Sequence, residues 1–142
     1  MSTYQLSARS KQRREGVDPR LIEIDDLAME LTLVDFGHPS DAGLRTAERQ
    51  HELYKAGKSA CDGYKKRSNH QDAKALDFYA FVDGAASWTE PHLAMVACAY
   101  FQAAALLGYR IKWGGMWKRR TPKLINGIPY GWDCPHIELV DV

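Results

Sequence analysis

A chain of 142 residues suits one domain with a single hydrophobic core. A hydrophobic content of 45% excludes a disordered chain, and 19 basic against 18 acidic residues leave no field that would draw it to nucleic acid or anionic lipid. No apolar run approaches the ~20 residues that span a bilayer, and the opening MSTYQLSARSKQRREGVDP carries charge without the apolar stretch of a secretory signal.

Asp18 followed by Pro19 reads as a helix cap with proline at the first helical position. Leu21, Ile22, Leu27, Ala28 and Leu31 then space out one buried face of a helix. Glycine, proline and aspartate break that rhythm in VDFGHPSDAGLR, residues 34–45, which predicts a short hairpin or strand pair. Thr46 caps a second helix from about Ala47 to Ala56, with Gly57 as its stop. Residues 58–70 are polar and read as a loop, and the aromatic and β-favouring residues that follow predict a buried strand near 75–82. From Pro91 to Leu107 alanine and leucine predict a long helix closed by Gly108. YRIKW (109–113) reads as a strand, residues 114–131 as a long loop, and HIELV (136–140) as a closing strand. This order predicts an α+β fold, a small and mostly antiparallel sheet flanked by helices. One domain over residues 1–142 is expected, without repeat, linker or separate wall-binding module.

Three cysteines, Cys61, Cys98 and Cys134, show no paired spacing and fit a reducing compartment; Cys98, in an apolar run, is expected in the core. HELYK at 51–55 begins like the zinc-protease helix motif, but Lys55 replaces the second histidine, so His51 reads as a solvent-facing helix residue. His38 and His92 lie beside prolines and read as turn and helix-start residues. His70, Asp77 and His136 are different. They bring two imidazoles and a carboxylate from adjacent segments of a sheet, a donor set suited to zinc with one coordination position left for water. Asp133, three residues before His136, supplies the carboxylate needed to accept a proton from water. From residue types alone a surface turn and a buried histidine remain open for the same stretch.

Four segments, GLRTAERQ (43–50), SNHQDAKALDF (68–78), WGGMWK (113–118) and DCPHIEL (133–139), together with RSKQRREGVDPRL (9–21), give the chain a wider likeness. It resembles the zinc D-Ala-D-Ala carboxypeptidase and L-alanyl-D-glutamate peptidase family, whose fold is shared with the hedgehog domain, and within it the single-domain phage endolysins. The resemblance runs from about residue 8 to 140. The family pattern S-x-H-x-x-G-x-A-x-D falls on Ser68, His70, Ala75 and Asp77, with Ala73 in place of the glycine. It implies one zinc ion per chain on His70, Asp77 and His136, with Asp133 as general base. It also implies Arg45 and Gln50 as groups that hold substrate oxygen and stabilise the tetrahedral intermediate, with Ser68 lining the same pocket. A guanidinium suits this, being permanently charged and able to fork two donors onto a carboxylate.

The implied function is hydrolysis of peptidoglycan stem peptides at the L-Ala–D-Glu bond during phage lysis, by a monomer that neither enters the membrane nor binds nucleic acid. An enzyme made in the host cytoplasm would then reach the periplasm after another factor breaches the inner membrane. Two rivals remain: a D-Ala-D-Ala carboxypeptidase with the same ligands and base, and a catalytically silent wall-binding domain. Trp113 and Trp117 read as a cleft wall or as core, and Lys118, Arg119, Arg120 and Lys123 as a solvated basic loop.

Overall fold

In the computed structural model residues 3–117, 123–125, 128–131 and 133–141 are described. The basic patch of Lys118, Arg119 and Arg120 lies outside them, as does the side chain of Lys123. Helix α1, Ala8–Arg13, is capped by Ser7, whose hydroxyl accepts from the Ser10 amide at 3.1 Å. Nothing in the apolar spacing predicts it, because Ser10 is its one buried residue. Helix α2, Pro19–Leu31, starts as expected, with Asp18 accepting from the Arg20 amide at 2.9 Å. Helix α3, Ala47–Lys55, is capped by Thr46. The longest helix, α4, Glu90–Leu107, ends on Gly108 in the left-handed conformation (φ 79°), where a side chain would be strained.

Helices α2 and α4 pack together, placing Leu21, Ile24 and Ala28 in one core with Val96, Tyr100 and Ala103. Each fully buried leucine or isoleucine there stabilises the fold by roughly 1.5–3 kcal/mol. Cys98 departs from expectation. It is exposed, because α4 is apolar around most of its circumference and turns Met95, Cys98 and Phe101 outward.

Among the described residues, two three-stranded antiparallel sheets and a two-stranded hairpin carry the rest. One sheet has the order β1 (Asp35–Gly37), β3 (Tyr79–Val82), β4 (Ala85–Ser87). The other has the order β2 (Ala75–Asp77), β8 (His136–Val140), β5 (Arg110–Trp113). Residues 34–45 therefore form no hairpin of their own; β1 finds its partner in β3. The strand expected near 75–82 breaks at Phe78, whose amide donates to the Pro135 carbonyl at 2.8 Å, and its halves enter different sheets. Leu76, Phe78 and Ala80 are all buried, so the alternation runs through the break and conceals it. The expected loop at 114–131 holds a 3-10 turn, Gly114–Met116, and a hairpin of β6 (Lys123–Ile125) and β7 (Ile128–Tyr130).

His38 is no surface turn residue: it is wholly buried in a charged cluster. Asp25 Oδ2 accepts from Arg14 Nη1 at 2.8 Å and meets His38 Nε2 at 2.9 Å, while Asp25 Oδ1 accepts from the Tyr100 hydroxyl at 2.6 Å. His38 Nδ1 donates in turn to the Asp77 carbonyl at 2.7 Å. Burial alone would raise the Asp25 pKa, but the charge and hydrogen bond of His38, with Tyr100 and Arg14, outweigh it and hold the carboxyl below its ordinary 3.8. Burial would likewise lower His38, but Asp25 outweighs it and raises the imidazole above 6.5.

A lowered Asp25 contributes stability above its unfolded pKa and loses it as pH falls through the folded value. A raised His38 contributes below its unfolded pKa and loses it as pH rises through the folded value. Both contributions are complete between pH 3.8 and 6.5. Asp25→Ala strands buried cations and is expected to lower the unfolding free energy by ~3–5 kcal/mol. Urea titrations across pH should show the gap from the parent protein widest in that window. A gap below about 1 kcal/mol there would refute the coupling.

Candidate active site

The second sheet ends where the chemistry begins. Asp77, the last residue of β2, pairs directly with His136, the first residue of β8, so one cross-strand pair delivers a carboxylate and an imidazole to the same edge. His136 Nδ1 lies 3.0 Å from Asp77 Oδ1. His70 comes from the turn that leads into β2, and its Nε2 lies 3.3 Å from the same oxygen. Its other nitrogen, Nδ1, is fixed by the Gly43 carbonyl at 2.9 Å. One ligand atom from each of His70, Asp77 and His136 lies within 4.8 Å of the others. Two nitrogens and a carboxylate oxygen at that separation fit a metal ion of the zinc type.

Asp133 reaches this edge through a tight turn in which the His136 amide donates to the Asp133 carbonyl at 3.2 Å. The turn sets Asp133 Oδ2 3.9 Å from His136 Nδ1, beside the ligand cluster. A side chain on Gly114 would collide with the Asp133 backbone, so this glycine permits the turn to sit where it does. Arg45 enters from the segment before α3: its Nη2 donates to Asp77 Oδ2 at 3.2 Å, its Nε to the Asp41 carbonyl at 2.9 Å and its Nη1 to Gln50 Oε1 at 3.2 Å.

These groups line a cleft of about 540 Å³, with Ser68, Trp117, Lys58 and Lys66. Gln50 does not line it. Its side chain is wholly buried, with Oε1 taken by Arg45 and Nε2 donating to Ser59 Oγ at 2.8 Å and the Cys61 carbonyl at 2.9 Å. Gln50 thus sits behind Arg45, bracing it and the loop at 59–61. The tryptophans divide. Trp117 packs on His136 with ring centroids 4.8 Å apart, while Trp113 lies against the core and donates to the Cys134 carbonyl at 2.6 Å. His51 and His92 stay outside the cluster, bonded to the Asp62 carbonyl and to Ser87.

The cluster is electrostatically coupled. Burial would raise Asp77, but His70 and His136 hold its carboxyl well below the ordinary value. Burial would lower His136, but Asp77, Glu138 and Asp133 push it up to about 9 in the metal-free protein. Asp133 moves the other way: burial and the charge of Asp77 raise it, against His136, His70 and Arg45. A raised carboxyl beside depressed ones is the pattern of a group suited to carrying a proton.

The sequence matches the family model for phage L-alanyl-D-glutamate peptidase over residues 1–140. The chain belongs to this family. It is therefore an enzyme that cleaves peptidoglycan. Its fold matches the crystal structure of the Serratia marcescens L-Ala D-Glu endopeptidase ChiX, with a TM-score of 0.77 and 32% identity, covering 97% of this chain and 92% of that one. No curated protein sequence matches the chain.

Against the pattern shared by this peptidase family, Ala73 stands where glycine is usual, and the structure gives the reason for glycine. Ala73 sits at φ 61°, in the left-handed region, within the turn that presents His70. Ala73→Gly should relieve strain of about 1 kcal/mol and raise the melting temperature; an unchanged or lower value would show the turn is already at ease. None of the three cysteines, all among the described residues, is in a disulfide, and Cys134, buried and lying in sequence between Asp133 and His136, is not in the ligand group. Replacing all three with serine should leave metal content and activity intact, and zinc loss in Cys134→Ser alone would count against that reading.

Proposed function

We propose that the peptidase cuts the bond between L-alanine and D-glutamate in peptidoglycan stem peptides, using one zinc ion held by His70 Nε2, the Asp77 carboxylate and His136 Nδ1. The observation that carries this is the convergence of those three donor atoms on one edge of the sheet, with Asp133 beside them. When bound, zinc would polarise the scissile carbonyl and lower the pKa of water to about 7. Asp133 accepts the proton from attacking water on its carboxylate and returns it to the leaving amine. Arg45, braced by Asp41 and Gln50, keeps its guanidinium in the cleft, where it holds a substrate carboxylate and offsets developing negative charge. Lys58 and Lys66 extend the positive lining, which suits stem peptides rich in free carboxylates. Ser68 lines the same wall, and Trp117 forms an apolar side to it.

Residues 1–142 form one catalytic domain, which acts as a monomer in phage lysis on the periplasmic wall once the membrane has been breached. Among the described residues no helix is long and apolar enough to cross a membrane. The deciding experiment is mass analysis of purified muropeptides digested with and without a chelator. Stems split after L-alanine, with digestion abolished by chelator and restored by zinc, support the proposal. Release of free D-alanine instead would make the enzyme a D,D-carboxypeptidase, and digestion unaffected by chelator would remove zinc from the mechanism.

A further inference from the structure

Every metal ligand needs its far side held, and the two histidines solve this differently. His70 uses a backbone carbonyl, that of Gly43. His136 uses a carboxylate: its Nε2 lies 2.9 Å from Glu138 Oε1. Glu138 is held in turn, because Asn69 Nδ2 donates to its Oε2 at 2.8 Å. The arrangement follows from the strand. In β8 residues two apart share a face, so His136 and Glu138 lie on one side while Ile137 and Leu139 enter the core on the other. Strand β8 is also the central strand of its sheet, and Glu138 is paired on both sides, with Ala75 of β2 and Lys112 of β5. Asn69 stands next to His70, so the link joins the turn that carries one ligand to the strand that carries another.

We propose that Glu138, held by Asn69, is a positioning residue for the metal centre: it keeps the His136 proton on Nε2 and turns the Nδ1 lone pair toward Asp77 and the metal. A neutral imidazole has one donor and one acceptor nitrogen, and a carboxylate can only accept, so its contact selects the tautomer. The carboxylate also raises the basicity of the ligating nitrogen and restricts rotation of the ring, which Trp117 confines from another side. Loss of such a partner typically weakens metal binding ~10–100-fold. The inference rests on the zinc reading above and adds a residue that touches neither metal nor substrate.

The test uses the full chain, stripped of metal and titrated with zinc in competition with a chromophoric chelator. Glu138→Ala should bind zinc ~10–100-fold more weakly, and Glu138→Gln, which keeps an acceptor oxygen but not the charge, should fall between it and the parent. In zinc-loaded Glu138→Ala the His136 Nε2 proton should exchange with solvent faster than in the parent, a signature that a merely structural role would not move. Independently of any variant, long-range proton–nitrogen NMR of the zinc-loaded parent should show His136 protonated on Nε2. A proton absent from Nε2 in the parent, parent-like zinc affinity in Glu138→Ala, or parent-like exchange of the Nε2 proton in that variant would each overturn the proposal. Failure of the parent itself to bind zinc would overturn the metal reading first and this one with it.

Discussion

His136→Ala is expected to lose zinc and, with it, essentially all hydrolysis of muropeptides. The substitution leaves two protein donors, His70 and Asp77, where a catalytic zinc site uses three. It also unbalances those that remain. Asp77 Oδ1 would keep His70 Nε2 at 3.3 Å but lose its closer partner, His136 Nδ1 at 3.0 Å. Metal binding in such sites is coupled to the ligands being deprotonated and preplaced, so a missing imidazole costs affinity beyond its own bond. His70→Ala should behave alike, since its ring is fixed by Gly43 and, among the described residues, no third histidine stands in the cluster to replace it. Metal content after dialysis and product formation from defined muropeptides measure the two losses separately. Full zinc with parent-like lysis in His136→Ala would sink the assignment.

What the sequence could announce was decided by how local the cause is. Asp18–Pro19, Thr46 and Gly108 act on their own neighbours, so α2, α3 and α4 are readable from caps and spacing. The grouping of His70, Asp77 and His136, which could hold a metal ion, was legible through the ordered segments around Ser68, His70, Asp77 and His136, whose residue types suit that chemistry. Other features depend on partners far along the chain. Asp25 sits in a run of acids that reads as a helix surface, and only Arg14, His38 and Tyr100, brought in from three other segments, make it a buried anion. His38 beside Pro39 gives no sign that it will hold the Asp77 carbonyl. Gln50 has the right type for a substrate contact, yet Ser59 and Cys61 take its amide N–H groups and Arg45 donates to its oxygen in a wholly buried position. Glu138 looks like the outward residue of an alternating strand, which it is; its value comes from facing the same way as His136.

Asp133→Asn is expected to keep zinc while turnover falls ~10²–10⁴-fold, the range that a general acid–base group contributes. The substitution preserves size and the turn, because the hydrogen bond that closes it runs from the His136 amide to the Asp133 backbone carbonyl and not to the side chain. It also preserves the donors: Asp133 Oδ2 stands 3.9 Å from His136 Nδ1, outside the group formed by His70, Asp77 and His136. What an amide cannot do is accept the proton of attacking water and pass it to the leaving amine. Burial and Asp77 raise the Asp133 carboxyl above its ordinary 3.8, which makes it a stronger base than an exposed aspartate. Arg45 and the zinc ligands would still bind and orient substrate, so the loss should fall on kcat, with KM little changed. The parent enzyme's acidic limb in kcat/KM, where Asp133 must ionise, should vanish in the variant. Zinc retained with near-parent turnover would exclude Asp133 as the base, and zinc lost would make it a ligand or a support of one.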